Sequence, residues 1–311
     1  MCEPIAPAAC DWLGRHVDTR EGPLPPRGAI EADGLVLRTH TRVDREVLDR
    51  ALQLRVVGRA GVGLDNVDVT ACRTRGVEVV YAPEANTQAV VEYTMTIVAD
   101  ALRPRTRVQA SLDHTQWAAL RAPALAARQM DTLVFGVLGC GRIGRRLLRV
   151  ARSIGFETCY CDLREIPPEA RGSARSVDAR TLFASSDVVS IHVDGRASNR
   201  DFVSTSLLNC MKDNVILVNT SRGFVVDNVA LAEFLEGHTN AQAHLDVHEP
   251  EPIAADNPLL ATPNAWLYPH LAARTATALE SMSWVVRDVV AVLEDRAPRF
   301  PAPGLGAPLS E

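Results

Sequence analysis

Gly139-Cys140-Gly141-Arg142-Ile143-Gly144 closes one apolar run and opens a stretch with helical spacing, the arrangement that cradles a dinucleotide. Gly139 permits the tight turn, Gly141 lets the backbone approach a pyrophosphate, and Gly144 lets helix and strand pack closely. The helix N-terminus then offers free N–H groups and a positive dipole end to the phosphates. Asp162 follows Gly144 by 18 residues, at the end of the next apolar run. Its carboxylate would accept hydrogen bonds from the adenosine ribose and repel a 2′-phosphate, which favours NAD over NADP. Arg164 lies close by and tempers that preference. Three further residues follow three later apolar runs: Arg222 after 215–219, Glu251 after 243–247 and His270 after 265–268. Ligands of an open α/β sheet sit beyond the carboxyl ends of its strands, so all three fall on the side where the cofactor must lie. Singly they read as an exposed arginine, a solvated loop glutamate and a structural histidine. Jointly, on one edge, they read as machinery.

The elements that position them alternate. Strand-like runs at 32–38, 55–59 and 77–82 are separated by helical spacing at 44–54 and 67–75, which implies a first open α/β sheet. A long helix follows at 87–102, with apolar residues on most of its faces and hence largely buried. After a less regular stretch with Trp117, the pattern restarts more strongly. The runs 133–139, 156–161, 188–193, 215–219, 243–247 and 265–268 are strands, and 142–154 is a helix. Runs apolar on both faces belong to a parallel sheet covered by helices on both sides. A last helix over 276–293 must pack somewhere, and its own pattern does not say on which domain. Pro/Gly-rich patches occupy 22–28 and 298–308, and no internal repeat is visible.

A chain of 311 residues with 47% hydrophobic and 23% charged residues predicts two globular domains. The net charge of −5 argues against a nucleic-acid partner, which would select a basic excess. No run approaches the roughly 20 apolar residues of a membrane span, and Met1-Cys2-Glu3-Pro4 does not open a signal peptide. Seven scattered cysteines without a CxxC pair read as buried small hydrophobes rather than metal or disulfide chemistry, so no metal and a cytoplasmic location are expected. Cys159 and Cys161 should share one strand face. Of the 33 basic residues only Lys212 is lysine, so nearly every cationic site must be a guanidinium, suited to two-point contacts with carboxylate or phosphate.

The stretches Gly58-Arg59-Ala60-Gly61-Val62-Gly63-Leu64-Asp65-Asn66-Val67-Asp68, Ala82-Pro83 with Asn86, the glycine fingerprint, Asn219-Thr220-Ser221-Arg222-Gly223, Leu245-Asp246-Val247 with Glu251-Pro252, and Pro269-His270 run in one order over nearly the whole chain. In these the sequence resembles the D-2-hydroxyacid dehydrogenases, most of all a short phosphoglycerate dehydrogenase without a regulatory domain. The resemblance implies an α/β fold of two Rossmann-like open parallel-sheet domains with a cleft between them. An NAD-binding domain would take 86–275, and a substrate-binding domain 1–85 and 276–311. It implies NAD-dependent oxidation or reduction of a D-2-hydroxy acid carrying a second anionic group, 3-phosphoglycerate-like, in a homodimer. His270 would be the acid/base, Glu251 its partner, and Arg222 the carboxylate anchor that also polarises the C2 oxygen. The cofactor would be held by Gly139, Gly141, Arg142, Ile143, Gly144, Asp162, His192, Thr220 and Asp246, the last at the nicotinamide carboxamide. The substrate would meet Arg38, Arg59, the N–H groups of Ala60, Gly61, Val62 and Gly63, Asn86 at the hinge, and Arg222. Arg38 and Arg59 would take a phosphate-like anion.

Three departures qualify the resemblance. The apolar first strand before Glu3-Pro4-Ile5-Ala6-Pro7 is nearly absent, residues 118–131 lack a polar Gly-Lys turn, and His192-Val193-Asp194-Gly195-Arg196-Ala197 replaces a Pro-Leu-Thr loop. They leave open a dehydrogenase of a hydroxy-phosphonate or another specialised acid. Leu245-Asp246-Val247-His248-Glu249 is also similar to an NAD-sensing corepressor branch of the same fold, which turnover would exclude. His248 itself reads as a variant residue beside Glu251.

Overall fold

The computed structural model describes residues 1–303; residues 304–311, which hold the end of the second Pro/Gly patch and of the expected substrate-binding segment, lie outside the described residues. In chain order the helices and strands are α1 (Pro7–Gly14), β1 (Gly34–Leu37), α2 (Arg45–Arg50), β2 (Val56–Arg59), α3 (Val69–Thr74), β3 (Glu78–Tyr81) and α4 (Thr87–Leu102). Next come α5 (His114–Arg121), β4 (Val134–Leu138), α6 (Arg142–Ile154), β5 (Glu157–Cys161), α7 (Pro168–Arg171), β6 (Arg175–Ser176) and α8 (Ala179–Ser185). The chain continues with β7 (Val188–Ile191), α9 (Thr205–Leu208), β8 (Ile216–Asn219), α10 (Asn228–Gly237), β9 (Gln242–Leu245), β10 (Ala265–Leu267), α11 (Ala276–Ser283) and α12 (Val286–Leu293). It divides into two compact units, one of Met1–Ala89 with the segment from Ala273 onward, the other of Val90–Ala272. Both are α/β with parallel sheets.

The first unit is built on a three-stranded parallel sheet in the order β1-β2-β3, with Leu37, Arg59 and Tyr81 in register at its carboxyl edge. Both faces are apolar. Leu35, Leu37, Val57 and Val79 pack on one side, while Val36, Val56 and Val80 meet Val286, Val289 and Val290 of α12 on the other. Gly58 keeps β2 bare there, since a Cβ would lie 2.3 Å from the Val289 side chain. The last helix therefore belongs to this sheet. It is two helices rather than one: the Ser283 hydroxyl bonds back to Leu279 O at 2.6 Å and accepts the Ala6 N–H at 2.9 Å, and the chain turns at Trp284 before α12. The N-terminal stretch forms no strand, but Cys2 N–H reaches Val36 O at 2.8 Å and so covers part of the β1 edge.

The second unit carries a seven-stranded sheet in the order β10-β9-β8-β7-β4-β5-β6, every pair parallel. The chain leaves β4 in one direction for β5 and β6, then returns to β7 on the other side, which makes the β4–β7 gap the switch point. Register aligns Cys161, Leu138, Ile191, Asn219, Leu245 and Leu267 as one terminal row. The next residue of each strand is then Asp162, Gly139, His192, Thr220, Asp246 and Tyr268. One edge thus receives a polar or glycine residue from each of six strands. Cys159 and Cys161 pack on one face of the sheet and Tyr160 on the other. The apolar side chains Val91, Met95, Ile97 and Val98 of α4 are buried in this unit's own core. At the opposite edge, Asp187 is buried and accepts from Lys212 Nζ at 2.9 Å, Arg128 Nη1 at 3.0 Å and Val134 N–H at 2.8 Å. The one lysine thus ties the loop before β8 to Asp187, and Arg128 ties the irregular 122–132 stretch to the same carboxylate.

Candidate active site

The fingerprint turn performs the geometry its glycines allow. Gly139 has φ +92°, a left-handed value costly for any side chain, and a Cβ there would lie 2.7 Å from the His192 carbonyl. At Gly144 a Cβ would lie 2.2 Å from Gly139 O, so the first turn of α6 rests directly on the β4 turn. A Cβ at Gly141 would meet nothing within 4 Å, and no side chain caps α6 there. Uncapped N–H groups beside open space suit a pyrophosphate. Asp162 accepts from Cys140 N–H at 2.7 Å and from Arg164 N–H at 2.9 Å, which pins the fingerprint to the end of β5. Arg142 and Ile143 form the first turn of α6. Two buried polar atoms on the same sheet edge, His192 Nδ1 and Thr220 Oγ1, have no hydrogen-bond partner among the described residues, and His192 is otherwise tied by Nε2 to Ser190 Oγ at 2.7 Å. Burial pushes the His192 ring down to about 3, so it is neutral at working pH. These residues fit a dinucleotide.

Beyond β8, β9 and β10 lie Arg222, Glu251 and His270, all within this unit. His270 Nδ1 lies 2.8 Å from Glu251 Oε2, and His248 N–H donates to Glu251 Oε1 at 3.0 Å. Partial burial raises the Glu251 carboxyl, but the bonds from His270 and His248 outweigh it and hold the group below its usual range. Both its oxygens are therefore engaged as a carboxylate. With Nδ1–H donating, the neutral imidazole carries its lone pair on Nε2. His270 stands at φ +55°, an uncommon conformation for a residue with a side chain, of order 1–2 kcal/mol. Asp246 holds it there. Its buried carboxylate accepts Leu271 N–H at 2.7 Å and Ala272 N–H at 2.8 Å, the two groups that follow the histidine. Burial raises Asp246 and those two bonds only partly offset it, while burial and this carboxylate together push the Tyr93 phenol up. The Arg222 turn is set by Asn219, whose side chain donates to Arg222 O at 2.9 Å and accepts Ser221 N–H at 3.0 Å. The Arg222 guanidinium in turn donates to Ser221 O at 2.7 Å.

In the first unit, Arg38 directly follows β1 and Arg59 ends β2, both half-buried, and the Arg59 guanidinium lies across Gly61. Arg38 Nε and Asn86 Oδ1 are buried polar atoms with no hydrogen-bond partner among the described residues. The expectation for residues 60–63 is corrected in part. Ala60 N–H continues the ladder to Leu37 O and Gly61 N–H folds back onto Arg59 O, each at 2.8 Å, so neither is offered to a ligand. Val62 and Gly63 donate to no backbone carbonyl among the described residues.

The loop carrying Arg38 is held by Glu3, whose carboxylate accepts the N–H groups of Arg38, Thr39, His40 and Thr41 at 2.8–3.2 Å. Burial would raise this carboxyl, but the bonds from Thr41, Arg38 and His40 outweigh it and bring it from 4.5 to about 2. Because the folded value is the lower one, the clamp stabilises fully above about pH 4.5 and is lost as pH falls through about 2. Glu3→Gln should cost about 1–2 kcal/mol at pH 7, after allowance for solvent screening, with the gap to wild type closing near pH 2. Urea melts at both pH values check it; an equal gap at both would contradict the clamp.

Residues 95–272 match the D-isomer specific 2-hydroxyacid dehydrogenase, NAD binding domain. The chain belongs to this family. It is 32% identical over 295 residues to a D-3-phosphoglycerate dehydrogenase of Archaeoglobus fulgidus, covering 93% of this chain and 55% of that one. It is 35% identical over 276 residues to an (S)-sulfolactate dehydrogenase of Chromohalobacter salexigens, covering 88% of each. The chain spans about half the length of the curated phosphoglycerate dehydrogenases it matches. A crystal structure of a Thermus thermophilus protein superposes with a TM-score of 0.82 at 30% identity, covering 97% of this chain and 98% of that one.

Within this 2-hydroxyacid dehydrogenase fold, several contacts around these groups are not legible in the sequence. Glu3 registers only as part of a shortened start, and His248 as a variant. Tyr268 reads as the end of a strand, yet its carbonyl accepts from both His270 N–H at 3.1 Å and the His248 ring at 2.8 Å. Asn219 has a visible signal: it is the polar residue that ends an otherwise apolar β8.

Proposed function

We propose that the chain is an NAD-dependent 2-hydroxyacid dehydrogenase acting on a small acid with a second anionic group. The His270–Glu251 pair, 2.8 Å apart on the sheet edge that also carries the fingerprint, is the observation that supports it most. NAD, when bound, supplies the hydride acceptor or donor. His270 Nε2 takes the proton from the C2 hydroxyl in oxidation and returns it in reduction, and Glu251 holds the ring and stabilises the imidazolium. Arg222 binds the carboxylate and favours negative charge on the C2 oxygen. Asp162, at the ribose position, favours NAD. Arg38 and Arg59, with the N–H groups of Val62 and Gly63 and with Asn86, serve the substrate. The two relatives named above for phosphoglycerate and sulfolactate act on acids with a phosphate or sulfonate, which agrees with a paired arginine site. Among the described residues no helix is long and apolar enough to cross a membrane. The same reading makes the enzyme a cytoplasmic homodimer.

NADH formation from a panel of acids tests this. Turnover of 3-phosphoglycerate, sulfolactate or a hydroxy-phosphonate should exceed that of lactate. Arg38→Ala and Arg59→Ala should each raise KM for the dianionic acids about 10- to 100-fold, the worth of a charge-assisted contact, and change KM for lactate less than about threefold. Equal effects on both classes would remove the second anion, and no turnover of any acid would remove the enzyme.

A further inference from the structure

We propose that His248 is a positioning residue that locks the His270–Glu251 pair in register, an inference that rests on the function proposed above. Two contacts of His248 and one that shares an acceptor with it carry the inference. Its backbone N–H donates to Glu251 Oε1 at 3.0 Å. Its ring Nε2 lies 2.8 Å from Tyr268 O, so that nitrogen carries the proton and donates. The same carbonyl accepts His270 N–H at 3.1 Å. His248 thereby joins the loop that presents the carboxylate to the turn that presents the imidazole, from opposite ends of one short path. Its backbone also forms the floor of the Arg222 turn: a Cβ on Gly223 would lie 2.1 Å from His248 C and 2.5 Å from its Cα.

The ring contact is the part a side-chain change can isolate. Without it, Glu251 keeps the N–H of residue 248, but the loop is no longer tied to the Tyr268 carbonyl. The Glu251–His270 separation then varies during turnover, whereas the fingerprint and Arg222 keep their own supports. A pair that is misaligned part of the time slows proton transfer and leaves ground-state binding intact.

His248→Phe keeps a planar ring and removes the donor, and His248→Gln supplies an amide N–H at comparable reach. The Phe variant should lose about tenfold in kcat with the acid best turned over, with KM for NAD and for the acid within about twofold of wild type. The Gln variant should recover to within about threefold. Wild-type kcat in His248→Phe, or an equal loss in both variants accompanied by a common fall in Tm, would overturn the proposal. His270→Ala is measured alongside. If it abolishes turnover while His248→Phe does not change it, only the positioning role fails; if His270→Ala retains wild-type turnover, the catalytic reading fails first.

Discussion

Replacing His270 by alanine is expected to lower kcat about 10³-fold in both directions, the usual worth of a positioned general acid/base. The two carboxylates beside it among the described residues are no substitute. Glu251, its oxygens engaged by His270 Nδ1 and His248 N–H, is held as a carboxylate by those bonds, and Asp246 is buried with both oxygens on Leu271 and Ala272. Neither is free to exchange a proton with a hydroxyl. Affinity for NAD should be retained within about threefold, because the fingerprint turn is built from β4, β5 and α6 and borrows nothing from the His270 turn. Calorimetric titration with NAD and steady-state rates in both directions separate these effects. A variant that binds NAD normally and turns over at the wild-type rate would exclude His270 as the acid/base. Glu251→Gln should be milder, about 10- to 100-fold, since the amide oxygen can still accept from Nδ1–H but no longer stabilises a charged ring.

The depth of the sequence reading follows the range of the forces involved. Local periodicity and turn chemistry place α4 and α6 over 87–102 and 142–154, and locate every strand to within a few residues except the two-residue edge strand β6, which is too short to leave a pattern. Asp162, Gly139, His192 and Asp246 are visible for the same reason: each directly follows a strand, and parallel register aligns those positions automatically. What stays hidden are hydrogen bonds between distant segments. The break between α11 and α12 depends on Ser283 meeting Ala6, the Arg38 loop on Glu3, and the strained His270 turn on Asp246. The N–H groups of Ala60 and Gly61 are consumed by their own ladder and turn, a fact that glycine content does not reveal. Cationic specificity is legible as residue type alone. An almost lysine-free chain puts its one lysine into a structural clasp at Asp187, so every other Lys/Arg position is a guanidinium.

Gly223→Ala should be the most damaging change that touches no reactive group, with kcat/KM reduced about 100-fold or more. The added methyl would stand 2.1 Å from His248 C, 2.4 Å from its O and 2.5 Å from its Cα, all backbone atoms that cannot rotate away. Either the Arg222 turn lifts or the β9 loop retreats. If the turn lifts, Arg222 leaves the position that Asn219 sets through Arg222 O and Ser221 N–H. If the loop retreats, His248 N–H withdraws from Glu251, and the imidazole loses its oriented partner. Displacements near 1 Å in either direction cost on the order of 10²-fold in rate, and overpacking of this kind costs about 1–3 kcal/mol in stability. Gly237→Ala is the matched control: it ends α10, where a Cβ would meet nothing within 4 Å, and both rate and Tm should stay at wild-type values. NAD affinity should survive in Gly223→Ala as well, because Gly139, Gly141 and Gly144 lie on another turn. Wild-type kcat/KM in Gly223→Ala would mean that the two loops move independently, and that Arg222 and the Glu251–His270 pair do not share the rigid support from which their joint action was argued.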